Sequence, residues 1–283
     1  MMNQNNKTAL VVEGGAMRGI FAAGVLDQFI EMEFNPFHSV LGVSAGAVNV
    51  AAYLSRQKKR NFKMFTDYSL RPEYISWKKF LTGGHLMDLD WSWDITAREL
   101  PIDLDVLFAN NPDFEIGVTM NSDGRSVFIK PDAESLSHVM KASCTVPLFY
   151  RNFLKIDGQI VSDGGVSAPI PIQRAVEKGA VKIMVIRSRP NSFRMKKGME
   201  SKLGRLLFRK HPGLVKALLN RPDNYNSSID FIQNTPQNLQ ILDVCPPESF
   251  KTKRFTQDYA TLLSDYELGQ EMGRIAIEKW NLL

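Results

Sequence analysis

The segment from Ser39 to Leu54 constrains this chain more than any other. An apolar run, Ser39-Val40-Leu41, enters Gly42-Val43-Ser44-Ala45-Gly46, and a run of small helix-forming residues follows from Ala45 to Leu54. That pattern is strand, sharp turn, helix, with a serine at the turn. Gly42 and Gly46, two before and two after the serine, let the backbone fold tightly enough to push the Ser44 hydroxyl out of the turn. The helix behind it directs its positive end at whatever bonds to that oxygen. At average Gly and Ser usage, G-x-S-x-G alone arises by chance in roughly one chain of this length in ten. The strand and helix that flank it are what set this occurrence apart.

A second glycine cluster also follows a strand pattern. Thr8–Val12 is a continuous apolar run, Glu13-Gly14-Gly15-Ala16-Met17-Arg18-Gly19 is a turn, and Ile20–Met32 has helical character. As a phosphate-binding P-loop it fails, because Ile20-Phe21 stands where Lys-Ser/Thr is required. The G-G-x-x-x-G spacing is also wrong for a dinucleotide fingerprint. An oxyanion hole fits: consecutive small residues expose backbone N–H groups, and the following helix adds positive potential. A tight strand-to-helix connection without a ligand fits the loop taken alone equally well.

Ser44 needs a base. The four histidines are His38, His85, His138 and His211, and none lies in a glycine-flanked loop after a late strand. They are expected to be surface or structural residues. Asp163 is different, since Ile160-Val161-Ser162-Asp163-Gly164-Gly165 is a strand end running into a double glycine. A carboxylate there can meet Ser44 across the top of a sheet, though an aspartate in that context also serves as a plain turn residue.

Taken together, these motifs resemble the patatin-like phospholipase family. Its pattern is D-G-G-G-x-[KR]-G, then G-x-S-x-G, then D-G-[GA]. Here these are Glu13–Gly19, Gly42–Gly46 and Asp163-Gly164-Gly165. A further family segment, A-S-x-x-x-P-x-x-F, is similar to Ala142-Ser143-Cys144-Thr145-Val146-Pro147-Leu148-Phe149, with a slightly shorter tail. The resemblance covers about residues 7–187, and Glu13 in place of Asp suggests a bacterial branch. It implies an α/β-hydrolase-related fold and a lipid acyl hydrolase whose Ser44 is activated by Asp163 alone, through an acyl-enzyme. Gly14, Gly15, Ala16 and Met17 would form the oxyanion hole, with Arg18, Gly19, Gly42, Gly46, Gly164 and Gly165 in support. Arg18 would steer a phosphate or fix the loop; a charge at the start of a surface helix is its plainer role. Ala16 departs from the third glycine, and its Cβ disfavours positive φ. An acyltransferase using the same pair, or a lipid-binding protein without turnover, remains open.

The 283-residue length favours one α/β domain over 1–283, with the catalytic core at about 7–187 and an elaboration at 188–283. Strand–helix alternation predicts three layers, a largely parallel central sheet with helices on both faces. Phe114–Met120 with Ser126–Lys130, and the segment Lys155–Val161, have hairpin character. Ser135–Ser143 and Ile170–Lys178 are expected as helices, Val181–Ile186 as a buried strand, and Arg254–Trp280 as a final helix packed across the sheet. Asn61–Trp93 is aromatic-rich and is expected to be an irregular packed insertion, with an acyl-pocket wall as the sharper alternative. Cys144 and Cys245 are expected as buried thiols in a reducing compartment. The polar start lacks an apolar signal core, and no run approaches 18 apolar residues, so a cytoplasmic protein is expected. No zinc spacing, calcium loop or cofactor motif is present, and none of these ligands is expected.

Charge is concentrated. Arg187–Arg221 holds eleven Lys/Arg against Glu200 alone, while the whole chain carries a net +5. Leucines alternate with Arg205, Arg209, Lys210 and Lys216 in two short helical runs, Leu203–Lys210 and Leu214–Leu219. This is the pattern of a helix on an anionic membrane surface, at the inner face in a cytoplasmic protein; a solvated helix pair packed on the core is the alternative. Nucleic acid is not expected, because no recognition motif or interleaved aromatics accompany the charge.

Overall fold

The continuous apolar run before Glu13 can be buried on both sides only inside a sheet covered on both faces. The computed structural model describes residues 7–109, 113–198, 204 and 206–283. In chain order, β1 (Lys7–Val12) passes through a 3-10 turn at Ala16–Arg18 into α1 (Gly19–Glu31). β2 (Ser39–Val43) and α2 (Ala45–Leu54) follow, then α3 (Arg60–Thr66), α4 (Trp77–Leu81), α5 (Leu89–Glu99) and α6 (Leu104–Ala109). β3 (Asp113–Met120), β4 (Ser126–Ile129), α7 (Leu136–Ser143), β5 (Leu154–Ile156) and β6 (Gln159–Asp163) come next. The chain continues with α8 (Gly164–Ser167), α9 (Ile172–Glu177), β7 (Ala180–Ile186), α10 (Pro212–Gln233), β8 (Gln240–Val244) and α11 (Tyr259–Leu282).

The eight strands form one mixed sheet with hydrogen-bonded order β5-β6-β3-β2-β1-β7-β8, and β4 also pairs with β3. The ladders from β3 through β2, β1 and β7 to β8 are parallel, as expected, whereas the β3–β4, β3–β6 and β5–β6 pairs are antiparallel. Alternation along β1 builds both cores. Leu10 and Val12 pack with Phe21, Val25 and Phe29 of α1 and Trp280 of α11. Ala9 and Val11 face the other way, into Ile172 and Ala175 of α9 and Tyr225 and Ile229 of α10.

Several segments differ from the sequence expectation. Asn61–Trp93 is largely helical, because Ser76 and Asp88 cap α4 and α5 by accepting the N–H of Lys79 and Trp91. β8 was not foreseen; its Gln240-Ile241-Leu242-Asp243-Val244 is short and flanks the sheet edge beside β7. The two short basic helices are also corrected in part. Arg205 lies outside the described residues. α10 runs on to Gln233 through Pro222, because Leu214, Ala217, Leu218, Tyr225 and Ile229 are buried along it. Packing therefore outweighs the loss at proline.

Leu214 and Leu218 are buried against Val166 rather than presented to a surface. The window's charge is partly consumed within the fold, through Arg187–Asp243 at 2.7 Å, Lys197–Asp223 at 3.1 Å and Arg194–Asp230 at 3.3 Å. Leu206, Leu207 and Leu219 are exposed, as are Arg209, Lys210 and Lys216. No helix among the described residues is long and apolar enough to cross a membrane.

α11 crosses α1 at backbone contact. A Cβ on Gly24 would strike the Tyr266 carbonyl, and one on Gly269 would strike the carbonyl of Phe21. Gly269→Val is therefore expected to force the helices apart, at a cost of about 1–3 kcal/mol or more. Calorimetry should show a Tm lower by several degrees; an unchanged Tm would contradict this crossing.

Candidate active site

β3 brings the two sequence-distant candidates together. Its residues 113–117 pair with β2, ending at Val43 opposite Gly117, and its residues 118–120 pair with β6, beginning at Asp163 opposite Val118. β4 occupies the other edge over residues 116–119. One β3 edge thus passes from the residue before Ser44 straight to Asp163. The C-terminal end of α7 and the residues after it tie both ends. Ser143 Oγ accepts the Ser44 N–H at 2.8 Å and donates to the Gly117 carbonyl at 2.7 Å. The Thr145 carbonyl accepts the Asp163 N–H at 3.2 Å.

Ser44 sits at φ 54°, ψ −133° immediately before α2. A non-glycine residue there costs of order 1–3 kcal/mol and persists only where the surroundings impose it. Gly42 and Gly46 allow that fit: a Cβ on Gly42 would lie 2.6 Å from the Ala47 Cα, and one on Gly46 would lie 2.8 Å from the Glu13 carbonyl oxygen. The turn is thereby clamped between β2, α2 and the end of β1.

Asp163 is 4% exposed. Its Oδ1 accepts the Gly165 N–H at 2.7 Å, while Oδ2 is buried without a hydrogen-bond partner. Burial raises its pKa above the ordinary aspartate value. The Ser44 hydroxyl, Arg221, the Gly165 N–H and Arg254 each pull it back down. The serine is thus close enough to act on the carboxylate, without a closed hydrogen bond to Oδ2; such contacts often tighten only when substrate binds. Cys144, a neighbour that the motifs did not single out, also touches the Ser44 hydroxyl. Burial first, then the Asp163 charge, raises its thiol pKa well above the ordinary value.

The Glu13–Gly19 loop lies beside Ser44 because β1 and β2 are parallel neighbours. A Cβ on Gly14 would come within 2.7 Å of the Ser44 Cβ. Glu13 anchors the loop, accepting the Ser188 N–H at 2.7 Å beyond β7. Among the described residues, the N–H groups of Gly14, Gly15 and Ala16 donate to no backbone or side-chain acceptor. Met17 differs from the expected donor set. Its N–H donates to the Arg254 carbonyl at 3.4 Å, and its side chain is buried in the apolar core.

Two cavities meet at Ser44. On one side a cleft is lined by charged residues Glu13, Arg18, Asp163, Arg221 and Arg254 together with apolar ones such as Pro147 and Phe149. On the other, a largely apolar pocket is lined by Met17, Met64, Phe65, Leu89 and Trp93. The aromatic insertion therefore supplies both packing and a cavity wall. None of the four histidines lines either space: His38 meets Thr8, His138 the Lys155 carbonyl, His85 stacks on Tyr150, and His211 contacts Phe153. Arg18 is not a surface charge. It is 5% exposed, and burial, then Arg189, lowers its pKa to about 9.

Ala16 holds φ 51°, so the loop does require the left-handed region at this position. An alanine there costs about 1–2 kcal/mol relative to glycine. Ala16→Gly is expected to leave kcat/KM on a soluble ester equal or modestly higher, whereas Ala16→Val should lower it by at least tenfold through displaced donors. A clear loss on Ala16→Gly would show that the methyl itself is required.

A family model for patatin-like phospholipase matches residues 10–176, and one for a domain of unknown function (DUF6363) matches residues 211–282. The uncharacterized protein YjjU of Escherichia coli strain K12 is 34% identical over 278 residues, covering 96% of this chain and 77% of that protein. Among solved structures, VipD from Legionella pneumophila aligns over 97% of this chain and 67% of its own, at 13% identity and a TM-score of 0.46. With the model spanning more than half the sequence, and the two glycine motifs and Asp163-Gly164-Gly165 all lying at strand ends of the sheet, the chain belongs to the patatin-like phospholipase family.

Proposed function

We propose that this protein is a serine lipid acyl hydrolase that works through a Ser44–Asp163 dyad and an acyl-enzyme. The observation that carries this is the position of Ser44 between an apolar cavity and a cationic cleft. An amphiphilic ester laid across that junction has its acyl chain among Met64, Phe65, Leu89 and Trp93 and its polar end among the arginines.

Asp163 takes the hydroxyl proton as Ser44 attacks the ester carbonyl. The N–H groups of Gly14, Gly15 and Ala16 receive the oxyanion, and the helix behind Ser44 adds positive potential. Collapse expels the alcohol, which takes the proton from Asp163. Water, deprotonated by the same carboxylate, then cleaves the acyl-enzyme, releases the fatty acid and restores Ser44. Burial suits Asp163 to this work, because a raised pKa makes it a stronger base than an exposed aspartate. Peripheral membrane contact belongs to the same proposal, supported by exposed Leu206, Leu207 and Leu219 beside Arg209, Lys210 and Lys216.

Hydrolysis of short p-nitrophenyl esters tests the chemistry. Ser44→Ala should fall to background, and Asp163→Asn should lose on the order of 10²–10⁴ in kcat. Alanine at His38, His85, His138 or His211 should retain most activity; one essential histidine in a folded variant would replace the dyad with a triad. The wild-type acid limb should lie above the ordinary aspartate pKa of about 3.9, with activity rising as Asp163 ionises. Stability should run the other way. The native state holds this proton to higher pH than the unfolded chain, so ionising Asp163 costs stability as pH rises from the unfolded value through the folded one. Asp163→Asn should therefore melt at an equal or higher temperature than wild type at pH 7, with the advantage vanishing below about pH 4. A lower Tm at pH 7 would contradict the burial argument.

A further inference from the structure

Three guanidinium groups converge on the polar side of Ser44, and two of them come from beyond the patatin-like segment. Arg18 lies on the 3-10 turn after β1, Arg221 on α10, and Arg254 in the segment before α11; all three line the same cleft beside Ser44. Arg18 is almost wholly buried, yet its Nε and Nη1 have no hydrogen-bond partner. A buried guanidinium with unmet donors is a costly arrangement unless a ligand completes it.

The other two arginines are fixed in place. Arg221 Nε donates to the Gly165 carbonyl at 2.8 Å, two residues past Asp163, and the Arg254 guanidinium lies 5.3 Å from the Phe149 ring centre. Arg221 and Arg254 each lower the pKa of Asp163, and each also lowers that of Arg18, so both charges are felt across the whole cleft. Among the described residues that line the cleft, the acids are Asp163, which the proposed chemistry uses, and Glu13, whose Oε2 is committed to the Ser188 N–H. Among the described lining residues, three arginines thus face two carboxylates.

We propose that Arg221 and Arg254, supplied by the C-terminal region, form with Arg18 a subsite that selects acyl lipids with an anionic phosphate headgroup and positions that phosphate beside Ser44. This rests on the hydrolase reading of Ser44. Guanidinium donors suit phosphate oxygens, and a fork of them fixes orientation as well as charge. A headgroup that adds its own cation next to the phosphate meets like charge from three arginines, so anionic headgroups are favoured over zwitterionic and uncharged ones.

Binding and turnover test this separately, with dihexanoyl lipids kept below their micelle concentration so that surface attachment plays no part. Ser44→Ala protein should bind dihexanoyl phosphatidic acid by calorimetry at least tenfold more tightly than dihexanoylphosphatidylcholine or dihexanoylglycerol, the scale of one hydrogen bond to a charged group. Adding Arg221→Gln or Arg254→Gln should cut that preference about tenfold each, and lysine at the same positions should restore part of it. In the Ser44 enzyme, the ratio of kcat/KM for the phosphatidic acid over dihexanoylglycerol should fall in parallel, chiefly through KM. Arg221→Gln should also move the acid limb to higher pH, because a cation that lowers the Asp163 pKa has gone.

Equal binding of all three lipids, or glutamine variants that weaken all three alike, would overturn the subsite. Inorganic phosphate binding as tightly as the phosphatidic acid would overturn the headgroup assignment in favour of a free-anion site. Wild-type protein that binds the phosphatidic acid but hydrolyses none of the lipids would instead refute the hydrolase reading and leave the subsite standing.

Discussion

The candidate site depends on a single exchange of partners along one edge of β3. β2 pairs as far as Gly117, β6 pairs from Val118, and no residue separates them. A parallel strand followed by a sharp turn delivers Ser44; an antiparallel strand arriving from the other direction delivers Asp163. Their chain separation is large, but their β3 partners are adjacent. The exchange leaves no room for side chains where the strands meet, since a Cβ on Gly164 would strike the Gly117 carbonyl and approach Val43 Cγ1 at 3.1 Å. Ser143 and Thr145 then tie the two ends to the C-terminal end of α7 and the residues after it. The relative placement of Ser44 and Asp163 is thus a property of the sheet rather than of a loop.

Around this exchange the protein tolerates arrangements that a purely structural sheet would avoid. Ser44 occupies an unfavourable backbone region, Ala16 holds a positive φ, Asp163 Oδ2 is buried unpaired, and Arg18 keeps two unmet donors. Each costs stability, and together they lie within the two cavities that meet at Ser44. The two apolar faces of β1, packed under helices on either side, offset those costs. Concentrated strain with unmet polar atoms marks a site built to complete its interactions with substrate.

Local chemistry was legible in the sequence because it is written at short range. The Gly42–Gly46 turn, the Glu13–Gly19 loop and the Asp163-Gly164-Gly165 strand end each needed only neighbouring residues, and β2 and α2 lie within the predicted bounds. What escaped needed distant partners. Ser143 stands in the Ala142–Phe149 family segment, yet its role as a clamp was not readable there, since it depends on Gly117 and Ser44 across the sheet. The basic window gave the charge of Arg187–Arg221 but not its direction. Arg187 is consumed by Asp243 inside the fold, Lys216 faces outward, and Arg221 faces the cleft. Composition sums these cations, whereas packing sorts them. The Met17 side chain and N–H likewise belong to the core and to Arg254, although its position in the loop made it look like another donor.

The C-terminal region is bound into the same machinery. β8 extends the parallel ladder from β7, α11 meets α1 at backbone contact, and Val244 and Trp280 pack in one core with Leu10 and Phe21. The Arg254 carbonyl also takes the Met17 N–H, which fixes the turn carrying Ala16 and the candidate oxyanion donors. The guanidinium of the same residue lies over Phe149 and lines the cleft with Asp163, whose pKa its charge lowers. In the proposed reaction, a segment that holds the loop by its backbone and acts on Asp163 by its side chain would couple headgroup contact to the chemistry, because an anion seated on Arg254 would screen the cation that now lowers the Asp163 pKa. Binding an anionic headgroup would then raise the basicity of Asp163 in the complex, so that the charge that selects a substrate would also strengthen the base proposed to deprotonate Ser44.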